Sequence, residues 1–492
     1  MTDAGLALKS PAGRWVLIAS VLGSGMAMLD ATVVNIALPV IGRDLDTTFA
    51  NLQWVLNAYT LMLAGFLLLG GALGDRFGRK RLFLTGVVWF ALASMLCAVA
   101  PSAEVLIAAR ALQGVGAALM TPNSLALLEA SFSSTDRAAA IGAWSGLGGV
   151  MTALGPFVGG WLIQAASWRW IFFINVPFAI AIVALASRHL PESADANAPR
   201  HIDARGAALA VVGLAGLVNA LIAGPERGWT SAGVLVSLVV GVACLVAFVA
   251  SEARSAHPLL PLGLFSIGNF RAANLVTLIV YAALTGATFL LPIQLQTVVG
   301  YSALAAGVSL LPLTVIMLLF SARAGRLATR IGPRIPMALG PVVAGIGVML
   351  LARIGAGSTY FADVFPAVVV FGAGLALTVA PLTATALGSV RDENAGIASA
   401  VNSDVARIGG LIAVAILPVL AGISNADFNN AAAFSDAFHT AMFISGFGLI
   451  AGGVLAWFTV RAPEISEAVV SEPTSHCALD ATPLRADCVD AA

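Results

Sequence analysis

The stretch Gly71-Ala72-Leu73-Gly74-Asp75-Arg76-Phe77-Gly78-Arg79-Lys80 returns, altered, as Gly325-Arg326-Leu327-Ala328-Thr329-Arg330-Ile331-Gly332-Pro333-Arg334. Gly71/Gly325, Leu73/Leu327, Arg76/Arg330 and Gly78/Gly332 agree at a constant offset of 254. Each copy is a short charged break between two apolar runs. A helix needs about 20 apolar residues to cross roughly 30 Å of hydrocarbon, and the runs on either side are of that order. Chance likeness between two basic loops is the competing explanation. Four identities in ten, at matching places between spans, weigh against it.

Working outward, breaks at charge clusters and Gly/Pro turns give fourteen apolar candidates. They are roughly 15–39, 52–73, 82–100, 104–126, 138–163, 168–188, 206–224, 231–250, 271–294, 302–322, 335–353, 361–384, 398–421 and 439–461. The offset of 254 then fits two six-helix halves with two helices inserted between them. The expected fold class is an all-α membrane protein of 14 transmembrane helices, its halves related by pseudo-two-fold symmetry. The expected divisions are an N-terminal segment 1–13, a first half 14–188, a linker 189–205, the inserted pair 206–250, an interfacial connection 251–270, a second half 271–461 and a disordered tail 462–492. The tail is polar and poor in aromatics, which favours disorder.

Composition agrees with this class. Hydrophobic residues make up 59% of the 492 and charged residues only 10%, against about 25% charged in soluble domains. Mean hydropathy is +0.95. Formal net charge is zero, which removes the basic surface that nucleic-acid binding needs. The four cysteines have no CxxC spacing, so neither a disulfide framework nor a zinc site is indicated. The first apolar run is too long for a cleaved signal.

Orientation follows from loop arginines and lysines. With the N-terminus in the cytoplasm, the outer loops hold only Arg43, Arg169, Arg227 and Arg353. Arg76, Arg79, Lys80, Arg81, Arg323, Arg326, Arg330 and Arg334 fall inside. Both termini are therefore expected in the cytoplasm, in a bacterial inner membrane.

Several polar residues interrupt the spans. In Leu29-Asp30-Ala31-Thr32-Val33-Val34-Asn35-Ile36-Ala37-Leu38-Pro39, Asp30 lies about 14 Å from the proline at 1.5 Å per residue. An intramembrane carboxylate is expensive and functional by default. Desolvation disfavours its charged form and a neighbouring cation favours it. A group held between the two effects can take a proton and give it up on a conformational change. Arg110, in Arg110-Ala111-Leu112-Gln113-Gly114-Val115-Gly116, is about 9 Å from its helix end. It is either a partner for Asp30 or an arginine snorkelling to the interface. Gly155-Pro156-Phe157-Val158-Gly159-Gly160 combines close-packing glycines with a kinking proline. Asn57 and Tyr59, in Trp54-Val55-Leu56-Asn57-Ala58-Tyr59, are cavity or packing residues. Asp404 and Glu129 read as solvated groups near helix ends. Asn123, Asn274 and Asn402 read as helix–helix glue.

Together these motifs resemble the major facilitator superfamily, most closely its fourteen-span drug:proton antiporter branch, over about residues 14–461. The resemblance implies alternating access and export. It implies proton coupling through Asp30 and Arg110. It implies a charge latch at Gly74, Asp75, Arg76, Gly78 and Arg79 that holds the halves closed on the cytoplasmic side. Thr329 stands where Asp75 would recur, so the latch is asymmetric. Gly155, Pro156, Gly159 and Gly160 match the motif of exporters. Asn35, Asn57, Tyr59 and Gln113 are candidate substrate-cavity residues. Partners would be lipophilic small molecules, protons and the lipid bilayer.

No Walker A loop is present, so ATP is not the energy source. No cofactor or metal motif appears, nor any hydrolase signature, so an enzyme is not expected. A nutrient symporter and a non-transporting sensor are the alternatives. With Asp30 as the one deep carboxylate read from sequence, neutral or monocationic substrates are expected.

Overall fold

The structure is a computed structural model and describes residues 5–195, 203–255, 258–391, 394–428 and 430–461. The expected disordered tail 462–492 and the middle of the linker lie outside these residues.

Among the described residues, fourteen helices are long and apolar enough to cross a membrane. They are α1 (Pro11–Asp44), α2 (Phe49–Phe77), α3 (Arg79–Ala98), α4 (Ala103–Ser131), α5 (Thr135–Ala165), α6 (Trp170–His189), α7 (Ala204–Arg227), α8 (Ala232–Glu252), α9 (Gly268–Thr297), α10 (Ala303–Ile331), α11 (Arg334–Leu351), α12 (Tyr360–Gly388), α13 (Ala395–Ala421) and α14 (Ala431–Thr459). Local chemistry sets their ends. Ser10, Thr48 and Ser102 cap α1, α2 and α4 by accepting from backbone N–H groups of the first turn. The inserted pair, α7 and α8, is longer than its apolar core suggested.

The repeat extends well beyond the loops. α2 and α10 begin and end 254 residues apart. The loop glycines Gly78 and Gly332 both take positive φ, 108° and 84°, a region glycine enters without a Cβ penalty. Helix pairing repeats as well. In the first half α4 packs on α2 and α3, α5 packs on α1, and α6 packs on α1 and α3. In the second, α12 packs on α10 and α11, α13 packs on α9, and α14 packs on α9 and α11.

The halves meet along two equivalent seams, α2 with α13 and α5 with α10. The inserted hairpin breaks the symmetry: α7 lies on the first seam, against α2 and α13. Leu61, Leu214, Val218, Ile222, Leu411 and Ala415 form the apolar core there. α8 packs mainly on α7, with only 11% of its apolar window buried, as expected of a surface facing lipid. The connection between α8 and α9 carries a short 3-10 turn, Leu262–Ser266, whose Leu264 tucks against Phe270, Ala398 and Val401.

Contact between the halves concentrates at the end opposite the α2–α3 loop. Gln53 Nε2 donates to the Val414 carbonyl at 2.6 Å, and Gln296 Nε2 to the Ile36 carbonyl at 2.9 Å. The Phe49 N–H donates to Asn425 Oδ1 at 2.9 Å, and its ring lies 5.7 Å from Phe289 and 5.4 Å from Phe428. At the α2–α3 loop end the helices stand apart. A Cβ built on Gly142, Gly146 or Gly149 of α5, Gly388 of α12 or Gly396 of α13 would meet nothing within 4 Å. The bundle is closed at one end and open at the other.

Candidate functional site

α1, α3, α4 and α6 bring five polar side chains together inside the first half. Asp30 is 1% exposed and Arg110 0%. Arg110 Nη1 donates to Asp30 Oδ2 at 2.5 Å. Asp30 Oδ1 accepts from Gln113 Nε2 at 2.8 Å and from Asn175 Nδ2 at 3.0 Å. Asn175 and Gln113 also donate to Ser94 Oγ, at 3.0 and 3.3 Å, and the Ser94 hydroxyl in turn donates to the Phe172 carbonyl at 2.9 Å.

Arg110 is held on every side. Nη1 reaches Gln113 Oε1 at 2.6 Å and Nε reaches the Val55 carbonyl at 3.2 Å. The guanidinium lies 4.3 Å from the centre of the Tyr59 ring and 5.8 Å from that of Phe172, where the ring quadrupole favours a cation. Desolvating two charges this fully is tolerable only with such complete hydrogen bonding. Snorkelling is therefore not what Arg110 does.

The remaining sequence candidates fall into place around this centre. Tyr59 and Gln113 belong to the network itself. Asn35 is half-buried and donates to the Ala31 carbonyl of its own helix. Asn57 is 1% exposed, and its Nδ2 has no partner. Sequence reasoning missed Ser94 and Asn175. The only signal was a polar residue inside each apolar run, and many such residues merely bond their own helix.

The exporter-motif glycines and proline lie where α5 passes between the halves. A Cβ on Gly155 would meet Thr32 Oγ1 at 1.9 Å, and one on Gly159 would meet Val33 Cγ1 at 2.7 Å, both on α1 one turn beyond Asp30. A Cβ on Gly160 would press on Ala303 and Leu304 of α10, and one on Gly307 would meet the Pro156 carbonyl at 2.2 Å. The motif is thus a close-packing surface toward both the charged centre and the other half.

In the α2–α3 loop, Arg79 donates through Nε and Nη2 to Asp75 Oδ1, at 2.8 and 2.7 Å. The chain after α6 straps across this loop. The Arg79 N–H bonds the Ser193 carbonyl, the Asp195 N–H bonds the Asp75 carbonyl, and Glu192 Oε1 accepts from the Lys80 N–H at 3.0 Å. Lys80 Nζ reaches the Ser187 and Leu190 carbonyls. Gly74 is required by packing, since its Cβ would overlap Asn123. Asn123 donates to the Gly70 carbonyl of α2, so it joins helices, and Asn402 likewise donates to Asn274 and Thr277 of α9. Arg76 stacks 4.9 Å from the Phe77 ring.

One expectation is corrected. Asp404 is not solvated: it is 8% exposed, and its Oδ1 is buried with no hydrogen-bond partner. α13 starts nine residues earlier than Asp404, and the helix is packed against α2, α7 and α9. Glu129, by contrast, is exposed.

Comparison with known proteins identifies the architecture. The family description "Major Facilitator Superfamily" matches residues 20–414. The methylenomycin A resistance protein of Streptomyces coelicolor is 34% identical over 450 residues, 91% of this chain and 93% of that relative. The multidrug resistance protein Stp of Mycobacterium tuberculosis is 37% identical over 402 residues, 82% and 74% of the two chains. The tetracenomycin C resistance and export protein of Streptomyces glaucescens is 35% identical over 409 residues, 82% and 75%. Among solved structures, a peptide transporter crystallised with sulfate superposes with a TM-score of 0.65 at 15% identity, covering 92% of this chain and 98% of that one. That likeness speaks for the fold alone.

Proposed function

The chain belongs to the major facilitator superfamily, and on that premise we propose that it exports lipophilic small molecules across a bacterial inner membrane in exchange for protons. The names of its relatives, resistance and export proteins for antibiotics, support efflux over uptake. The observation that carries proton coupling is the Asp30–Arg110 pair, sealed from solvent on a helix that touches both halves.

The coupling follows from the bonding. A carboxylate accepts from Arg110, Gln113 and Asn175 at once; a protonated carboxyl cannot hold all three as strongly. Proton uptake at Asp30 weakens the ties of α1 to α4 and α6 together. The freed Arg110 keeps Gln113 Oε1 and the Tyr59 ring as partners. α1 then shifts against α5 at Thr32 and Val33 and against α9 at Ile36; the α9 contact lies between the parts that rock, and α5 carries the shift to its own seam with α10. The closed end of the bundle carries the outer loops by the arginine distribution, and both termini are cytoplasmic. The open end then faces the cytoplasm, where an exporter loads. In this state Arg79 pairs with Asp75 inside its own loop, and we assign the latch to the opposite state, in which the cytoplasmic ends meet.

Protein reconstituted in sealed vesicles with an internal pH dye tests the reading. A panel of antibiotics is added under an imposed gradient. Substrate-triggered proton movement in wild type, lost in Asp30→Asn, is expected. Unchanged coupled transport in Asp30→Asn would remove Asp30 from the mechanism.

A further inference from the structure

The second half holds a buried carboxylate of a different kind. Asp404 lies about 14 Å along α13 from Ala395 at 1.5 Å per residue. Its Oδ1 is buried without a partner. It forms none of the described ion pairs. An unpartnered ionisable group in an apolar span is costly, and such groups in membranes mark ligand or ion sites.

Helical periodicity places it. Ile408, Leu411 and Ala415 of α13 face α2 and α7 in one apolar cluster. Asp404 precedes Ile408 by one turn and shares that face. Asn402 and Gly409 point away, toward α9. Asp404 therefore lies on the α2–α13 seam, between the halves and beneath the inserted hairpin.

The same seam carries two more under-used polar groups. Asn57 falls midway between Gln53 and Leu61, which both meet α13, so its unpartnered Nδ2 faces α13 as well. Arg407, one turn from Asp404, has as its one hydrogen bond among the described residues the Ser403 carbonyl of its own helix, at 3.2 Å. A carboxylate, a guanidinium and an amide donor thus line one seam with bonding capacity left over.

We propose that this seam is a substrate subsite in which Asp404 receives the protonated amine of a lipophilic substrate, while Arg407 and Asn57 meet its oxygen acceptors. The subsite rests on the export reading and adds a substrate class to it: amphiphiles that carry an amine and oxygens. Asp30 cannot fill this role, because both of its oxygens are already taken. The seam is also a place that alternating access must open and close, so binding there is sensed by both halves.

A matched pair of probes tests the subsite: doxorubicin, a fluorescent primary amine rich in oxygens, and its neutral N-acetyl derivative. Affinities are read by fluorescence on purified protein in nanodiscs. Wild type is expected to prefer doxorubicin by at least about tenfold, the scale of a buried charge pair. Asp404→Asn should bring the ratio of the two affinities close to one, and Asp404→Glu should keep it. Asn57→Leu should weaken both probes alike, since both retain the oxygens. Equal affinity of wild type for the two probes overturns the proposal, as does an unchanged ratio in Asp404→Asn. Proton movement in vesicles separates this from failure of the export reading. Movement triggered by the N-acetyl probe with no amine preference sinks the subsite alone; no movement with either probe sinks both.

Discussion

Each half buries one carboxylate among the described residues, Asp30 in the first and Asp404 in the second, and their surroundings are opposite. Asp30 has four hydrogen-bonding neighbours within a short radius, counting Ser94 through Gln113 and Asn175. Asp404 has an orphaned oxygen. At the offset of 254 that relates the halves, Asp30 corresponds to Leu284, which packs into the main hydrophobic core. The duplicated helices have thus kept their packing and diverged in charge. The first half encloses a complete ionic network, and the second offers incomplete groups on a seam. A complete network suits a coupling element whose two protonation states differ sharply in bonding. An incomplete one suits ligand binding, where the missing partner arrives from outside.

The largest expected effect tests this contrast directly. Arg110→Ala strands a buried carboxylate with only neutral donors and should destabilise the protein by about 3–5 kcal/mol. Asp404→Leu removes a buried carboxyl with an unpartnered oxygen and should leave thermal stability unchanged or raise it. Unfolding of the two purified variants in one detergent reads both. An equal fall in Tm would mean that Asp404 has a partner as strong as Arg110, and the contrast between the halves would vanish.

A somewhat smaller effect should separate the closed end from the open one. Gly307→Ala presses a methyl group onto the Pro156 carbonyl and overpacks the α5–α10 seam, at a cost of about 1–3 kcal/mol. Gly146→Ala adds the same methyl where nothing lies within 4 Å. Cysteines introduced by Gln53→Cys and Val414→Cys, at the two positions joined across the other seam by the Gln53 bond to the Val414 carbonyl, report the outcome by cross-linking yield. Gly307→Ala should lower the yield by loosening the closed end, and Gly146→Ala should not. If both lower it equally, the closed end does not depend on that contact.

Within the network, Asn175→Ala should cost about 1–2 kcal/mol, since Asp30 loses one of its donors but keeps two. Proton coupling should persist with a weakened dependence on substrate, measured in the vesicle assay. A loss as deep as that of Asp30→Asn would promote Asn175 from supporting donor to an essential member.

How much of this was legible beforehand depends on what each residue needed to declare itself. Asp30 and Arg110 stood out because a charge in an apolar span has few bland explanations. The fourteen spans and the duplication were legible because hydrocarbon thickness and glycine-bearing loops leave marks in one dimension. Asn175 and Ser94 were not, because an amide or hydroxyl in a span can satisfy itself on its own helix, as Asn35 does. Asp404 was misread for a tertiary reason: its burial comes from helices packed on α13, and no sequence pattern says which seam the inserted pair will cover.

The smallest effect concerns the two loops with which the repeat began. Gly78 and Gly332 share a positive-φ conformation, so alanine at either position should carry similar backbone strain, about 1–3 kcal/mol. Their surroundings differ. A Cβ on Gly78 would come 2.8 Å from Glu192 Oε1, the oxygen that accepts from the Lys80 N–H, whereas one on Gly332 would meet nothing within 4 Å. Gly78→Ala should therefore exceed Gly332→Ala by roughly one hydrogen bond, about 1 kcal/mol. Combining each with Glu192→Ala, in a double-mutant cycle read by Tm, isolates the difference. Coupling is expected with Gly78→Ala and none with Gly332→Ala. Coupling in neither would mean that the strap after α6 yields without cost, and the two loops would then be mechanically alike despite the missing acid at Thr329. Coupling only at Gly78 would mean that the first loop is braced by the linker leading to the inserted hairpin. The same linker would then tie the loop to the hairpin that covers the Asp404 seam.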